Sequence, residues 1–319
     1  MNDRERPCAV HSIDHFMLAV PNLREAEQFF DAFGLVPELL ADRLLLRAAG
    51  STHVWAHLVA DAHKHLVSVT FNCYEQDYEV LAARIRDMAV VADPPPQAQH
   101  RDGCWFEDCD GNLLQLRVGP KTTIDEKSLH PVAIRPAGRG VAGRHAVAKV
   151  RPERLSHILL FATDVARQTA FYRDVLGLRL SDQSAGIISF LHAPHGSDHH
   201  LMAFAKSEGP GWHHASWDVP TMEDVGIGWM QMQQAGYRRA WGPGRHVLGS
   251  NYFCYVQDPW GSWCEYSADM DYVAASERWP AADHAPEDSL YLWGPPPPAD
   301  FIANAEAAHI LSKQERKTS

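Results

Sequence analysis

Three side chains in residues 245–266, RHVLGSNYFCYVQDPWGSWCEY, could do chemistry together: the imidazole of His246, the phenol of Tyr255 and the carboxylate of Glu265. NYFCYVQ is rich in aromatic and β-branched residues, DPWG carries turn residues and SWCEYS resumes an extended pattern, so the stretch predicts a hairpin. Such a hairpin brings Tyr255 near Glu265. On its second strand Trp263, Glu265 and Ser267 share one face, and Cys264 and Tyr266 the other, because side chains alternate. A carboxylate aimed into a strand-walled pocket is costly unless it is paired or bound to a cation.

Two further groups complete a candidate metal set with Glu265: His157, on the predicted strand LSHILLF, and one of His213 and His214, on WHHASWDV. By alternation His213 shares its face with Ala215, Trp217 and Val219, and His214 with Ser216 and Asp218, so His214 lies on the polar face and is the better ligand. Two imidazoles and one carboxylate on one face of an octahedron form the facial triad of non-haem Fe(II) sites. Any one histidine on a half-buried strand is ordinarily a hydrogen-bonded structural residue. The coincidence of all these groups on strands at fixed spacing outweighs that reading.

The elements that must position them occur twice. A predicted strand IDHFMLAV, helix LREAEQFFDAF and closing Gly34 are answered by LSHILLF, helix VARQTAFYRDVL and Gly177. His15 answers His157, Asp108 and Gly111 answer Asp258 and Gly261, and HLVSVTF from His65 answers HHASWDV from His213. An internal repeat follows. Gln115 stands where Glu265 stands, and nothing near residues 97–100 reproduces His246 and Tyr255, so the first half keeps the scaffold without a complete site. The predicted organisation is a degenerate domain over residues 1–120, a Gly/Pro-rich linker over 121–153, a metal-binding domain over 154–273 and a tail over 274–319. The tail holds four consecutive prolines, is predicted to be extended and packed over the second half, and ends in a short helix from Asp300.

Composition narrows the partners. A formal charge of −11 without a Lys/Arg cluster excludes the basic patch that nucleic acid or an anionic membrane requires. The 6 cysteines form no CxxC pair and no zinc spacing, no signal peptide precedes them, and no apolar run approaches the roughly 18 residues of a membrane span. A cytoplasmic protein acting on a small molecule is expected.

The order His246, Tyr255, Asp258, Pro259, Gly261, Glu265 resembles the signature of type I extradiol ring-cleavage dioxygenases (catechol 2,3-dioxygenase-like) of the vicinal oxygen chelate superfamily. The similarity covers roughly residues 10–270. It implies an α+β fold of two domains, each of two βαβββ modules curled around a cavity, with the second cavity active. It also implies Fe(II), with Mn(II) as the other ion that accepts these ligands, held by His157, His214 and Glu265. His246 and Tyr255 would hydrogen-bond a bound catechol, O2 would be the second substrate, and a homo-oligomer is expected. An acid/base histidine belongs on the strand before His214, at the pair His199-His200 followed by LMAF; the family spacing His-x-x-Ala-Phe favours His200, with His199 as the alternative.

His192, Leu248 and Trp293 are the predicted substrate contacts, large and mostly apolar. Arg245, the adjoining cation, alternates away from His246, so an uncharged catechol is expected. A glyoxalase-like isomerase using the metal as a Lewis acid and a non-catalytic ligand-binding protein of the same fold are the alternative readings.

Overall fold

The computed structural model describes residues 6–127, 140–141 and 143–307. The first half runs β1 (Val10–Val20), α1 (Leu23–Phe33), β2 (Val36–Leu39), β3 (Arg43–Arg47), β4 (Val54–Ala60), β5 (His65–Cys73), α2 (Glu75–Met88), β6 (Val90–Val91), β7 (Cys104–Glu107) and β8 (Leu113–Val118). The second half opens with β9 (Arg154–Ala162), α3 (Val165–Leu176), β10 (Arg179–Ser184), β11 (Ile188–His192), β12 (Ser197–Asp198) and β13 (Met202–Lys206). It continues with β14 (Gly211–Asp218), α4 (Met222–Gln234), β15 (Ala240–His246), β16 (Tyr252–Gln257) and β17 (Trp263–Ala268). Three short strands follow: β18 (Tyr272–Val273), β19 (Ala282–Asp283) and β20 (Tyr291–Trp293).

The fold is α+β, as predicted, with two strand-helix-strands modules in each half. Antiparallel pairing of β1 with β5 joins the first two modules, and pairing of β9 with β14 the second two. The sheets are ordered β2-β3-β4-β1-β5-β8-β7-β6 and β19-β10-β11-β13-β9-β14-β17-β16-β15-β20.

Local chemistry accounts for the helices. In α1 the Asn22 side chain accepts from the amides of Arg24 and Glu25, Ala26, Phe29, Phe30 and Phe33 form one buried stripe, and Gly34 ends it at φ 101°. Asp164 and Gly177 do the same for α3. Both helices match their predicted spans, whereas β1 starts three residues before the predicted Ile13.

The halves share one core. Phe33 of α1 stacks on Tyr266 of β17 at 3.8 Å, and the Tyr266 hydroxyl donates to the Phe33 carbonyl at 2.8 Å. That contact occupies the face of β17 opposite Glu265, so the first half forms the back wall of the strand that carries the carboxylate. The equivalent turns also dock across the boundary: Asp108 accepts from the Tyr172 hydroxyl at 3.1 Å, and Asp258 pairs with buried Lys64 at 2.8 Å.

Strand register corrects one predicted equivalence. Thr70 lies opposite Gln115 as Ser216 lies opposite Glu265, so Ser68, not Leu66, answers His214. Trp105 lies opposite Gln115 where Tyr255 lies opposite Glu265. The first half thus lacks a carboxylate, the second histidine and the phenol.

The tail closes both edges of the second sheet, β19 along β10 and β20 along β15. This covers backbone groups that an open edge would leave unpaired. The segment from Asp300 forms a turn, with the Ala303 amide on the Asp300 carbonyl at 3.0 Å. The helix predicted from Asp300 does not start there: residues 300–306 are turns and irregular chain, and the residues after 307 lie outside the described ones.

Candidate active site and metal centre

The hairpin forms as its turn residues require. Asp258 accepts from the amides of Trp260 and Ser262 at 2.9 and 3.0 Å, Gly261 takes φ 95°, and the register places Tyr255 directly opposite Glu265. Glu265 is fully buried on the inner face of β17. His157 comes to the same point from β9, which pairs with β14, and His214 from β14, which pairs with β17.

Three ligand atoms converge there: His157 Nε2 and His214 Nε2 lie 3.1 Å apart, and Glu265 Oε2 lies 3.2 and 3.5 Å from them. Glu265 Oε2 has no hydrogen-bond partner, while Oε1 accepts from Asn251 Nδ2 at 3.1 Å. Among the described residues these three form the one cluster suited to hold a metal ion.

Hydrogen bonds behind the cluster decide where the protons sit. His213 Nε2 faces the Phe301 carbonyl at 2.9 Å and must donate to it; its Nδ1 therefore accepts from His214 Nδ1 at 2.6 Å. Burial holds His213 neutral, pushing its pKa down to about 4. His157 Nδ1 lies 3.3 Å from Ser156 Oγ, which donates to Asp198 at 3.2 Å. Both histidines so bound turn a bare Nε2 lone pair toward a bare carboxylate oxygen. Three acceptors at such distances repel one another unless a cation lies between them. Metal–ligand bonds of about 2.1 Å separate neighbouring ligand atoms by roughly 3.0 Å at right angles and roughly 3.4 Å at tetrahedral angles. The donor set and its spacing fit a divalent transition metal.

Burial alone would raise the Glu265 carboxyl, but the neighbouring imidazoles of His157 and His246 hold it below its ordinary value. Burial, together with His213, His157 and His246, pushes His214 well below the usual imidazole range. Both groups are in the protonation state that binds metal.

The flanking groups lie on either side of the cluster along the sheet. His246 donates Nδ1–H to the Leu290 carbonyl at 2.6 Å, and its Nε2 accepts from the Tyr255 hydroxyl at 2.9 Å. Burial and the Glu265 carboxylate push the Tyr255 phenol well above its ordinary value, so it remains protonated. On the other side His200 lines the cavity, its ring 4.1 Å from that of His157. His199 points away, with Nε2 on Asp182 at 2.8 Å.

The cavity, about 240 Å³, takes side chains from β9, β11, β13, β14, β15, β16 and β17, so the second sheet curls around it. Leu159, Ile188, Phe190 and Leu248 make its apolar wall, and the tail supplies Leu290, Phe301 and Ile302. Of the predicted substrate contacts Leu248 lines it. His192 is buried outside the lining, with Nδ1 2.8 Å from Ser181 Oγ, and Trp293 is 40% exposed beside Tyr252.

Sequence reasoning missed Asn251 and the tail carbonyls, and put His213 on the face away from His214. Asn251 is a loop residue without a periodic signal. His213 reaches the cavity beside His214 because β14 shifts register against β9 between Trp212 and His214; such a bulge overrides alternation.

Residues 154–266 match the family profile of the Glyoxalase/Bleomycin resistance protein/Dioxygenase superfamily. Metapyrocatechase 2 of Cupriavidus necator is 50% identical over 300 residues, 94% of this chain and 93% of that protein. Among solved structures, the Mn(II)-bound glyoxalase of Novosphingobium aromaticivorans has a TM-score of 0.71 at 23% identity over 95% of this chain and 99% of its own. The 2,2',3-trihydroxybiphenyl 1,2-dioxygenase of Sphingomonas wittichii has 0.70 at 20% identity, over 90% and 99%. A glyoxalase and a dioxygenase fit the fold equally, so these likenesses establish architecture alone. The full-length relative at half identity distinguishes the two: the chain belongs to the Glyoxalase/Bleomycin resistance protein/Dioxygenase superfamily and, within it, to the extradiol ring-cleaving dioxygenases.

Proposed function

We propose that this enzyme opens the ring of an uncharged, single-ring catechol at an Fe(II) held by His157, His214 and Glu265. The observation that supports it is the buried Glu265 Oε2, without a hydrogen bond, facing two imidazole nitrogens at the floor of an apolar cavity. Iron held there would supply the chemistry that relieves the spin barrier between a catechol and O2. Mn(II) takes the same donors.

The chain's own residues would do the rest. His246 Nε2 and Tyr255 Oη orient the diol oxygens from one side. His200 exchanges a proton with the substrate at Nε2 from the other, the work of a positioned general acid/base. The tail excludes water through Leu290, Phe301 and Ile302. The first domain is read as a scaffold: His15 Nε2 lies 3.3 Å from Thr70 Oγ1, which donates to Gln115 at 2.9 Å, so the equivalent position is closed by hydrogen bonds.

Size and charge support the substrate class. A cavity of about 150 Å³ accommodates a benzene ring, and about 240 Å³ leaves room for one substituent. No Arg or Lys is among the lining residues; Arg245 turns to Tyr252 Oη at 2.9 Å, and Arg239 pairs with Asp300. A buried carboxylate would lack a partner.

No described helix is long and apolar enough to cross a membrane, and all six cysteines are free. The cytoplasmic location and homo-oligomeric state belong to the same reading; mass in solution tests the latter. The functional test is iron-loaded protein under air with catechol, 4-methylcatechol, dihydroxybiphenyl and homoprotocatechuate. Yellow ring-fission product with matching O2 uptake is expected, with kcat/KM highest for 4-methylcatechol. Isomerisation without O2 uptake would overturn the proposal, and preference for homoprotocatechuate would overturn the uncharged substrate.

A further inference from the structure

Behind His200 lies a hydrogen-bonded chain outside the proposed mechanism. Asp182 on β10 is buried, and its carboxylate accepts from His199 Nε2 at 2.8 Å, Trp279 Nε1 at 3.1 Å, the Ala282 amide at 3.0 Å and His284 Nε2 at 2.9 Å. Burial alone would raise its pKa, but these donors bring it down to about 2, so Asp182 is an anion. A carboxylate only accepts, and His199 Nε2 therefore carries its hydrogen. In the neutral imidazole that leaves His199 Nδ1 as an acceptor, 3.0 Å from His200 Nδ1. His200 donates to it and keeps a lone pair on Nε2 for the cavity. Phe190, 4.7 Å from His200 between ring centres, confines the imidazole on one side. Gly249 confines it too, since a Cβ there would come within 3.3 Å of His200 Cε1.

We infer that His199, anchored by Asp182, is a positioning residue that sets the ring orientation and tautomer of His200, so that the cavity meets a nitrogen able to accept a proton from a substrate hydroxyl. The inference rests on the ring-cleaving reading of the site. An imidazole oriented by a buried carboxylate can hold the next group in one tautomer, as in acid/base chains generally. Trp279, Ala282 and His284 belong to the tail, which thereby supports His200 as well as covering the cavity.

Polar substitutions separate the acceptor from the anchor. His199→Asn keeps an amide oxygen near the place of Nδ1 and loses the bond to Asp182. His199→Gln reaches Asp182 and leaves no acceptor beside His200, and His199→Phe removes both while filling the volume. With iron-loaded enzyme and catechol, kcat should fall roughly 10- to 100-fold in the Gln and Phe variants. The Asn variant should recover most of that loss, with KM and iron content unchanged in all three. If the Gln variant does not fold, the Phe variant gives the comparison. Equal kcat in the Asn variant and its comparator, or losses that track iron content or Tm, overturn the positioning role. Wild-type enzyme that fails to open catechol overturns the functional reading with it, and the two failures are distinguished by that control.

Discussion

Asn251→Ala tests the metal centre through a residue that binds no metal in the proposed arrangement. Asn251 is 1% exposed and donates from Nδ2 to Glu265 Oε1 at 3.1 Å and to Ser267 Oγ at 2.9 Å. It fixes the carboxylate so that Oε2 meets the two imidazoles. Without it Oε1 loses its donor and is left with His246 Nε2 at 3.8 Å, beyond hydrogen-bond range. A hydrogen bond to a charged group contributes about 1.5–3 kcal/mol. At about 1.4 kcal/mol per tenfold, iron affinity should weaken roughly 10- to 100-fold. Competition against a graded series of chelators, read by metal analysis of the desalted protein, measures this directly. Circular dichroism controls for the fold. Affinity within about 3-fold of wild type in a folded variant would refute the orienting role and, with it, the assignment of Oε2 as the metal-facing oxygen.

Glu265→Gln should abolish stoichiometric iron, whereas His15→Ala should leave about one ion per chain; two ions per wild-type chain, by metal analysis, would contradict the scaffold reading of the first domain. His200→Asn should retain iron and catechol binding yet lose turnover by on the order of 10²-fold, while Tyr255→Phe should lose less; single-turnover absorbance measures both. The pKa of His57 is pressed down to about 3, first by burial and then by His15 and Arg43, so the folded chain resists a proton that the unfolded chain accepts near 6.5. Its contribution is therefore intact above about pH 6.5 and declines by about 1.4 kcal/mol per pH unit as pH falls toward the folded value. Denaturant unfolding of His57→Phe between pH 7.5 and 5 should show a correspondingly shallower slope, and an unchanged slope would exclude His57 as a source.

Much of the site was legible because its determinants are local. Asp258 and Gly261 make the same turn in any context that pairs β16 with β17, and period-two alternation then sends Glu265 one way and Tyr266 the other. Asn22 with Gly34, and Asp164 with Gly177, bound α1 and α3 at the predicted residues because caps act within one helical turn. The repeat was visible in the order of these signals, although the equivalence of β5 with β14 was misread by two residues. Short strands with similar composition leave that offset open until the ladder is formed.

What the sequence by itself determined is the set of reactive residue types, the strands and turns that carry them, and the missing carboxylate at Gln115. Tertiary structure decided the rest: the bulge that brings His213 to the cavity with His214, the choice of His200 over His199 as the cavity-facing ring, the hold of Asn251 on Glu265, and the tail carbonyls of Leu290 and Phe301 that set two tautomers. His199 and His200 have the same side chain on adjacent residues. The family spacing favours His200, but the physical reason is Asp182, 17 residues away in sequence from His199 and brought to 2.8 Å by the sheet, which turns His199 away from the cavity. Contacts of that kind depend on backbone register and on distant segments meeting in space, and spacing along the chain carries no record of either.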